Sequence, residues 1–227
     1  MIAGAIFDLD GTILDSMPIW ENAAEMFLNR IGVAAEPGLS KTMFAMTLAE
    51  GAEYLREKYN LDMDAAAIQA GIVETITDFY ARQVRLKEGA VQCLAAFKQA
   101  GIKITAATSS ARELVEKALA RLEALGYFSR IFTCTEVGAG KDKPDIFLAA
   151  AEYMGTPPER TWVFEDALHA IETAKRAGFR AVGVFDYSSK DHWQRIKEVS
   201  DVWLCRLDAD VLQKIACAGA LRRREKE

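Results

Sequence analysis

The hydrophobic pattern divides the chain into three parts. Residues 2–7 (IAGAIF) are uniformly apolar, which is typical of a strand that is buried on both faces. From residue 17 to residue 84, apolar positions recur at helical spacing and no strand pattern interrupts them. This spacing predicts an all-helical segment with three amphipathic stretches, at residues 17–31, 41–59 and 64–84.

Beyond Gly89, short apolar runs alternate with amphipathic stretches. The runs predict strands at residues 102–108, 130–134, 161–166, 181–185 and 201–205. The stretches between them predict helices at residues 90–100, 111–125, 145–154 and 167–177, and a last helix follows the final strand. Strands that alternate with helices favour right-handed crossovers and a parallel sheet covered on both faces.

The helical segment separates the first strand from the others, and we expect that strand to join the same sheet. The sequence therefore predicts one α/β core, formed by residues 1–15 and 88–227, with a helical insertion at residues 16–87. The insertion contains Met43, Phe44 and Met46, which either line a substrate pocket or pack inside the insertion.

Polar residues follow several of the predicted strands. In open parallel sheets, ligands bind beyond the carboxyl ends of the strands. The candidates at this edge are Asp8 and Asp10, Thr108, the lysines Lys141 and Lys143 of the loop GKDKPD (140–145), and the pair Glu165 and Asp166. Turn formation alone does not explain why carboxylates, a hydroxyl and a lysine should all occur at one edge of the sheet.

The stretch FDLDGT (7–12) places two carboxylates two positions apart at the end of an apolar strand. If the chain stays extended, Asp8 and Asp10 point to the same side. Two like charges held close together repel unless a cation or a shared proton relieves them. The alternative is a turn in which Asp10 makes a local hydrogen bond to the backbone.

Composition limits the partners of the protein. A net charge of −5 argues against a nucleic acid or an anionic membrane as partner, and no apolar run reaches the length of a membrane span. The first residues lack the basic segment of a signal peptide, and four cysteines with two histidines form no zinc pattern. We expect a monomeric cytoplasmic protein with reduced, mostly buried cysteines.

The residues at the strand ends resemble the motifs of the haloacid dehalogenase superfamily. FDLDGT is similar to the first motif of that family, Thr108 to the second, Lys141 to the third, and Glu165-Asp166 in VFEDA to the fourth. Four motifs in this order are specific together, and the match covers nearly the whole chain. The resemblance implies a Rossmann-like parallel sheet core with an inserted α-helical cap, as in the subgroup that contains beta-phosphoglucomutase and many small-molecule phosphatases.

The resemblance and the chemistry of phosphate esters suggest roles for these residues. Asp8 is expected to be the nucleophile that forms an aspartyl-phosphate, and Asp10 the general acid and base. Mg²⁺ is the expected cofactor, and its expected ligands are Asp8, Asp166, the carbonyl of Asp10, and Glu165 directly or through water. The expected phosphate ligands are Thr108, Ser109, Lys141 and Gly11.

The favoured function is a Mg²⁺-dependent phosphatase of a small phosphorylated metabolite such as a phosphosugar. A phosphomutase of the beta-phosphoglucomutase type would share the site. However, the insertion has Trp20 where that enzyme has a histidine, and it has no arginine between Arg30 and Arg56 for a bidentate phosphate clamp. A non-catalytic binding protein on the same fold is the third alternative.

Overall fold

The structure, a computed structural model, describes residues 2–43 and 46–224. The described residues of Met1–Asp15 and Arg85–Glu227 form one compact unit, the core unit, and those of Ser16–Val84 form a second, the insert unit. Residues 85–87, which the sequence assigns to the insertion, belong to the core unit. The physical reason is that Leu86 forms a β-bridge with Leu14 and the Lys87 amide donates to the carbonyl of Ile13.

The core unit contains a parallel sheet of six strands. They lie in the order β3-β2-β1-β4-β5-β6, and every neighbouring pair is parallel. The strands are β1 (Gly4–Phe7), β2 (Lys103–Thr108), β3 (Arg130–Thr133), β4 (Thr161–Glu165), β5 (Arg180–Val184) and β6 (Val202–Leu204). The first strand of the chain therefore lies inside the sheet, and the predicted Rossmann-like α/β fold is confirmed.

Helices account for most of the remaining described residues. The insert unit contains α1 (Met17–Arg30), α2 (Leu39–Met43), α3 (Leu48–Lys58) and α4 (Ala65–Arg82). The core unit contains α5 (Ala90–Gln99), α6 (Arg112–Arg121), α7 (Cys134–Val137), α8 (Asp145–Met154), α9 (Leu168–Arg176), α10 (Trp193–Val199) and α11 (Val211–Arg224). Within the described ranges, no helix combines the length and the apolar character needed to cross a membrane.

Apolar packing fixes the centre of the sheet. Strand β1 is buried along its whole length, as its apolar sequence predicts. Ile6 belongs to a cluster with Phe147 and Ala150 of α8, and Phe7 stacks on Phe164 of β4 with ring centroids 4.2 Å apart. Burial of one such large apolar side chain contributes about 1.5–3 kcal/mol. This packing holds in place the residues that directly follow β1 and Phe164.

The insert unit has a hydrophobic core of its own, in which Phe27 of α1 packs with Ile68 of α4. The stretch predicted as one helix at residues 41–59 contains two helices, α2 and α3. Helix α3 begins with a capping box, in which the Thr47 hydroxyl accepts the Glu50 amide and the Glu50 carboxylate accepts the Thr47 amide. This reciprocal pair starts a new helix at Leu48.

The apolar residues singled out in the insertion have different environments. Met43 packs against the core of the insert unit, whereas Phe44 lies outside the described residues. Met46 is half-buried. Trp20 is 43% exposed, and its indole N–H donates to the Tyr80 hydroxyl at 2.9 Å. Of the two alternatives that the sequence leaves open, Met43 therefore follows the one in which it packs inside the insertion.

Two further expectations are corrected in the core unit. Helix α6 ends at Arg121 and not at residue 125, because Glu123 has a left-handed backbone with φ of +56°. The cysteines are free, as expected, but Cys93 is buried while Cys205 and Cys217 are exposed.

Gly89 and Gly101, which lie just before and just after helix α5, provide a test of backbone packing in the core unit. Both have positive φ, +78° and +70°, but a Cβ on Gly89 would overlap the carbonyl of Leu207, whereas a Cβ on Gly101 would have no neighbour within 4 Å. Gly101→Ala should lower the free energy of unfolding only by the backbone cost, about 1–2 kcal/mol. Gly89→Ala should lower it by more, because the chain at Leu207 must also move. Urea unfolding measures both changes, and equal losses would contradict this prediction.

Candidate active site

Asp8 and Glu165 are neighbours at the carboxyl edge of the sheet. Phe7 pairs with Phe164 of β4, and the Asp8 amide donates to the Phe164 carbonyl at 2.9 Å. Residues at the same level of adjacent parallel strands point to the same side of the sheet. Asp8 and Glu165 directly follow Phe7 and Phe164, so their side chains point to the same side of the sheet. Both residues are buried.

Lys141 connects these two carboxylates. It lies in the loop between α7 and α8, and its ammonium group donates to Oδ1 of Asp8 and, at 2.6 Å, to Oε1 of Glu165. Its side chain is only 6% exposed. Lys143, the other lysine of this loop, is exposed. The structure therefore brings Lys141, and not Lys143, to the carboxylates.

Asp166 completes a group of three buried carboxylates. One oxygen from each of Asp8, Glu165 and Asp166 lies within 4.8 Å of the others. Both oxygens of Glu165 already accept hydrogen bonds: Oε1 from Lys141, and Oε2 from the amides of Asp166 at 2.9 Å and Ala167 at 3.1 Å. Asp8 and Asp166 are therefore better suited than Glu165 to offer an oxygen to a metal ion.

Two hydroxyl groups and a glycine surround the carboxylate of Asp166. The Thr12 hydroxyl donates to Oδ1 at 3.4 Å, and the Ser189 hydroxyl donates to Oδ2 at 3.3 Å. Gly11 has φ of +86°, and a Cβ at this position would lie 2.5 Å from Oδ2 of Asp166. Glycine is therefore required here. The Gly11 amide donates to the Leu14 carbonyl at 2.9 Å, and the phosphate-binding role of Gly11 stays a prediction.

Burial and repulsion raise the pKa values of the carboxylates. The pKa of Asp8 is raised well above its usual range by burial and then by the charge of Glu165. The pKa of Asp166 is raised to about 8 by burial, then by Glu165 and Asp186. Burial alone would lower the pKa of Lys141, but the charges of Asp8 and Glu165 outweigh it and raise that pKa. The cluster therefore holds one protonated lysine and an excess of carboxylate groups.

A divalent cation fits this donor set. Oδ2 of Asp8 is buried and has no hydrogen-bond partner among the described residues. An unsatisfied buried polar atom costs about 1–3 kcal/mol, more for a charged group. Hard cations such as Mg²⁺ bind carboxylate oxygens. The excess of carboxylate groups over cationic partners and the unpartnered oxygen therefore both favour a metal ion at Asp8 and Asp166.

Asp10 is held by residues at the end of β2. The hydroxyls of Thr108 and Ser110 donate to Oδ2 of Asp10 at 3.2 Å and 2.7 Å, and the Ser110 amide donates to the Thr108 hydroxyl at 3.0 Å. Sequence reasoning missed Ser110 because a serine before a helix is usually an N-cap. In the structure, helix α6 has no side-chain cap. The sequence signal for Ser110 is that it lies two positions after Thr108, a spacing that puts both side chains on the same side of an extended chain. Ser109 is exposed, with Oγ 3.4 Å from Sγ of Cys134.

A comparison with known protein families bears on this arrangement. The family profile described as haloacid dehalogenase-like hydrolase matches residues 2–178. The chain belongs to this family. The matched span contains the candidate site residues from Asp8 to Asp166 but not Asp186 and Ser189, and the resemblance predicted from the four motifs is confirmed.

Several phosphatases are similar to most of the chain. This chain is 26% identical over 177 residues to the phosphorylated carbohydrates phosphatase of Thermotoga maritima. The alignment covers 78% of this chain and 82% of that protein. This chain is 29% identical over 182 residues to the fructose-1-phosphate phosphatase of Escherichia coli. The alignment covers 80% of this chain and 96% of that protein. A crystal structure from Thermotoga maritima, described as a candidate beta-phosphoglucomutase, has a TM-score of 0.80 at 23% identity over 95% of this chain and 99% of that one. This last likeness shows the shared fold.

Replacement of Lys141 should destabilise the metal-free protein. Lys141→Met leaves Asp8 and Glu165 buried without their cationic partner, and breaking a buried ion pair from one side costs about 3–5 kcal/mol. Lys143→Met is the matched control and should change the free energy of unfolding by less than about 0.5 kcal/mol, because this lysine is exposed. Urea unfolding in the presence of a chelator measures both variants. Similar stabilities of the two variants would contradict a central role for the Lys141 ion pairs.

Proposed function

We propose that this protein is a Mg²⁺-dependent phosphatase that hydrolyses a small phosphorylated metabolite through an aspartyl-phosphate on Asp8. The observation that carries the proposal is the environment of Asp8. One carboxylate oxygen pairs with Lys141, and the other is buried without a partner among the described residues. Such a carboxylate is fixed in orientation while one oxygen remains for a ligand, which suits a nucleophile.

The hydrolysis is divided into two steps. In the first, an oxygen of Asp8 forms a bond to phosphorus, the bond from phosphorus to the leaving oxygen breaks, and Asp10 gives its proton to that oxygen. In the second, a water molecule attacks phosphorus and Asp10 takes the proton of this water. The bond between phosphorus and Asp8 then breaks, and inorganic phosphate leaves with both aspartates restored.

Other residues of the edge orient these groups and bind the phosphoryl oxygens. Lys141 holds Asp8 and places a positive charge close to the transferring group. Ser109 is exposed beside β2 and offers its hydroxyl to a phosphoryl oxygen. Thr108 gives its hydroxyl hydrogen to Asp10 in this structure, so its proposed contact with phosphate requires that bond to be exchanged.

The proposed ligands of Mg²⁺ are Asp8, Asp166 and the carbonyl of Asp10, with Glu165 contributing directly or through water. When bound, Mg²⁺ would supply positive charge that reduces the repulsion between the substrate phosphate and the carboxylates. The composition of the cluster supports this assignment, since it contains three carboxylate groups and Lys141 pairs with only two of them.

A phosphorylated carbohydrate is the proposed substrate class. This assignment is supported by the names of the relatives, one a phosphatase of phosphorylated carbohydrates and another a phosphatase of fructose 1-phosphate. Release of inorganic phosphate from a panel of sugar phosphates, polyol phosphates and nucleotides tests it. Faster hydrolysis of nucleotides than of every sugar or polyol phosphate would contradict the substrate class but not the mechanism.

Replacement of the nucleophile should abolish phosphatase activity. Asp8→Asn keeps the shape of the side chain but removes its charge, and we expect the rate to fall by roughly 10⁴-fold or more. Asp62→Asn, at an exposed position of the insert unit, is the isosteric control and should keep full activity. Excess chelator should inactivate the wild-type protein, and added Mg²⁺ should restore it. Activity of Asp8→Asn within tenfold of the wild type would refute the proposal.

Replacement of Asp10 should affect substrates unequally. Asp10→Asn keeps the nucleophile but removes the proton donor, and general acid help is worth about 10²–10⁴-fold. An alkyl phosphate, whose leaving oxygen needs a proton, should lose rate by this factor, whereas the first step with p-nitrophenyl phosphate should lose far less. Single-turnover kinetics with both substrates measure the difference. Equal losses with both would mean that Asp10 does not act as the acid.

A further inference from the structure

A second lysine lies close to the candidate site and has no role in the proposed steps. The ammonium group of Lys87 donates to the Gly11 carbonyl at 2.7 Å, the Phe185 carbonyl at 2.7 Å and Oδ2 of Asp186 at 2.8 Å. An ammonium group has three hydrogens, so these three acceptors use them all. The Lys87 side chain is 17% exposed and that of Asp186 is 7% exposed. The pair is therefore largely shielded from water and is fixed in position.

On one side, Lys87 fixes the turn that follows β1. Its side chain holds the Gly11 carbonyl at 2.7 Å, and its own amide donates to the Ile13 carbonyl at 2.9 Å. Between these two anchored residues lies Thr12, whose hydroxyl donates to Oδ1 of Asp166 at 3.4 Å. The position of the Thr12 hydroxyl therefore depends on two contacts made by Lys87.

On the other side, Asp186 fixes the loop that follows β5. Its Oδ2 accepts from Lys87, and its Oδ1 accepts from the amide and the hydroxyl of Ser188 at 2.9 Å and 2.7 Å. The Ser189 amide donates to the Asp186 carbonyl at 3.1 Å, and the Ser189 hydroxyl donates to Oδ2 of Asp166 at 3.3 Å. The two oxygens of Asp166 are thus contacted from two loops, and the pair of Lys87 and Asp186 joins those loops.

We infer that Lys87 and Asp186 form a positioning pair that orients the carboxylate of Asp166 for metal binding. The inference rests on the proposed function, because it takes Asp166 as a ligand of Mg²⁺. Residues that orient metal ligands through hydrogen bonds typically change metal affinity by about 10–100-fold when they are replaced. Neither residue contacts the reacting atoms in this assignment.

Charge and positioning predict opposite effects for Lys87. The positive charge of Lys87 repels a cation, so on charge alone Lys87→Met would tighten Mg²⁺ binding. Loss of positioning would weaken it, because the Gly11 turn loses its anchor. Asp186→Asn removes a negative charge and an acceptor, so both effects weaken binding. The double variant distinguishes the two explanations. If only charge matters, its affinity for Mg²⁺ should return close to that of the wild type. If positioning matters, its affinity for Mg²⁺ should stay weak.

The test is the affinity of the metal-free, full-length protein for Mg²⁺, measured by titration calorimetry. Lys87→Met, Asp186→Asn and the double variant should each bind Mg²⁺ about tenfold or more weakly than the wild type. Arg206→Met is the matched control. It breaks an exposed ion pair, at 3.0 Å, with Glu88, the residue that follows Lys87 in the chain. This variant should leave the affinity for Mg²⁺ unchanged. Thermal melting checks that each variant is folded. Ser189→Ala removes only the last hydroxyl contact and should weaken binding several-fold, which serves as the test if Lys87→Met does not fold.

The outcomes separate this inference from the proposed function. Weaker Mg²⁺ binding in all three variants, with an unchanged control, supports the positioning pair. Tighter binding in Lys87→Met, or wild-type affinity in the double variant, overturns it while the phosphatase proposal stands. Lower thermal stability with unchanged Mg²⁺ affinity also overturns it, because it shows a purely structural pair. If the wild-type protein itself binds no Mg²⁺, the proposed metal site and this inference both fail.

Discussion

The ion pairs of Lys141 are the interaction on which the rest of the site depends. Three carboxylates buried next to each other repel and resist ionisation, and such a group is tolerated only where positive charge or a proton relieves the repulsion. Lys141 supplies part of it from a loop 133 positions away from Asp8 in the chain. Because it bonds to one oxygen of Asp8, the other oxygen, which has no hydrogen-bond partner among the described residues, remains able to accept a ligand.

The parallel sheet makes this convergence possible. Strand β1 lies between β2 and β4, so Asp8 and Asp10 have the hydroxyl of Thr108 on one side and Glu165 on the other. The stacked rings of Phe7 and Phe164 fix the relative height of the two strand ends. A rigid apolar layer therefore supports a polar edge that would be unstable on a mobile loop. The proposed roles of the two aspartates differ, and their partners differ as well: the Lys141 cation for Asp8, and the hydroxyl groups of Thr108 and Ser110 for Asp10.

The sequence predicted those features that leave a local pattern. Apolar runs indicated the strands, and helical periodicity indicated the insertion, because burial imposes a regular spacing on each element. The division near Thr47 depends on a capping box that periodicity does not register. Ser110, Lys87 and Asp186 were missed for another reason. The bond from Ser110 to Asp10 joins residues 100 positions apart, and the bond from Lys87 to Asp186 joins residues 99 apart, so no local pattern marks them.

If the phosphoryl group passes through Asp8 during hydrolysis, it can be trapped on that side chain. Acid quenching during turnover, followed by borohydride reduction, converts an aspartyl-phosphate to homoserine, which peptide mass spectrometry identifies. We expect homoserine at position 8 in the presence of substrate and Mg²⁺, and unmodified Asp8 when either is absent. Homoserine at a different aspartate, or none at all in protein quenched during a pre-steady-state burst of product release, would contradict it.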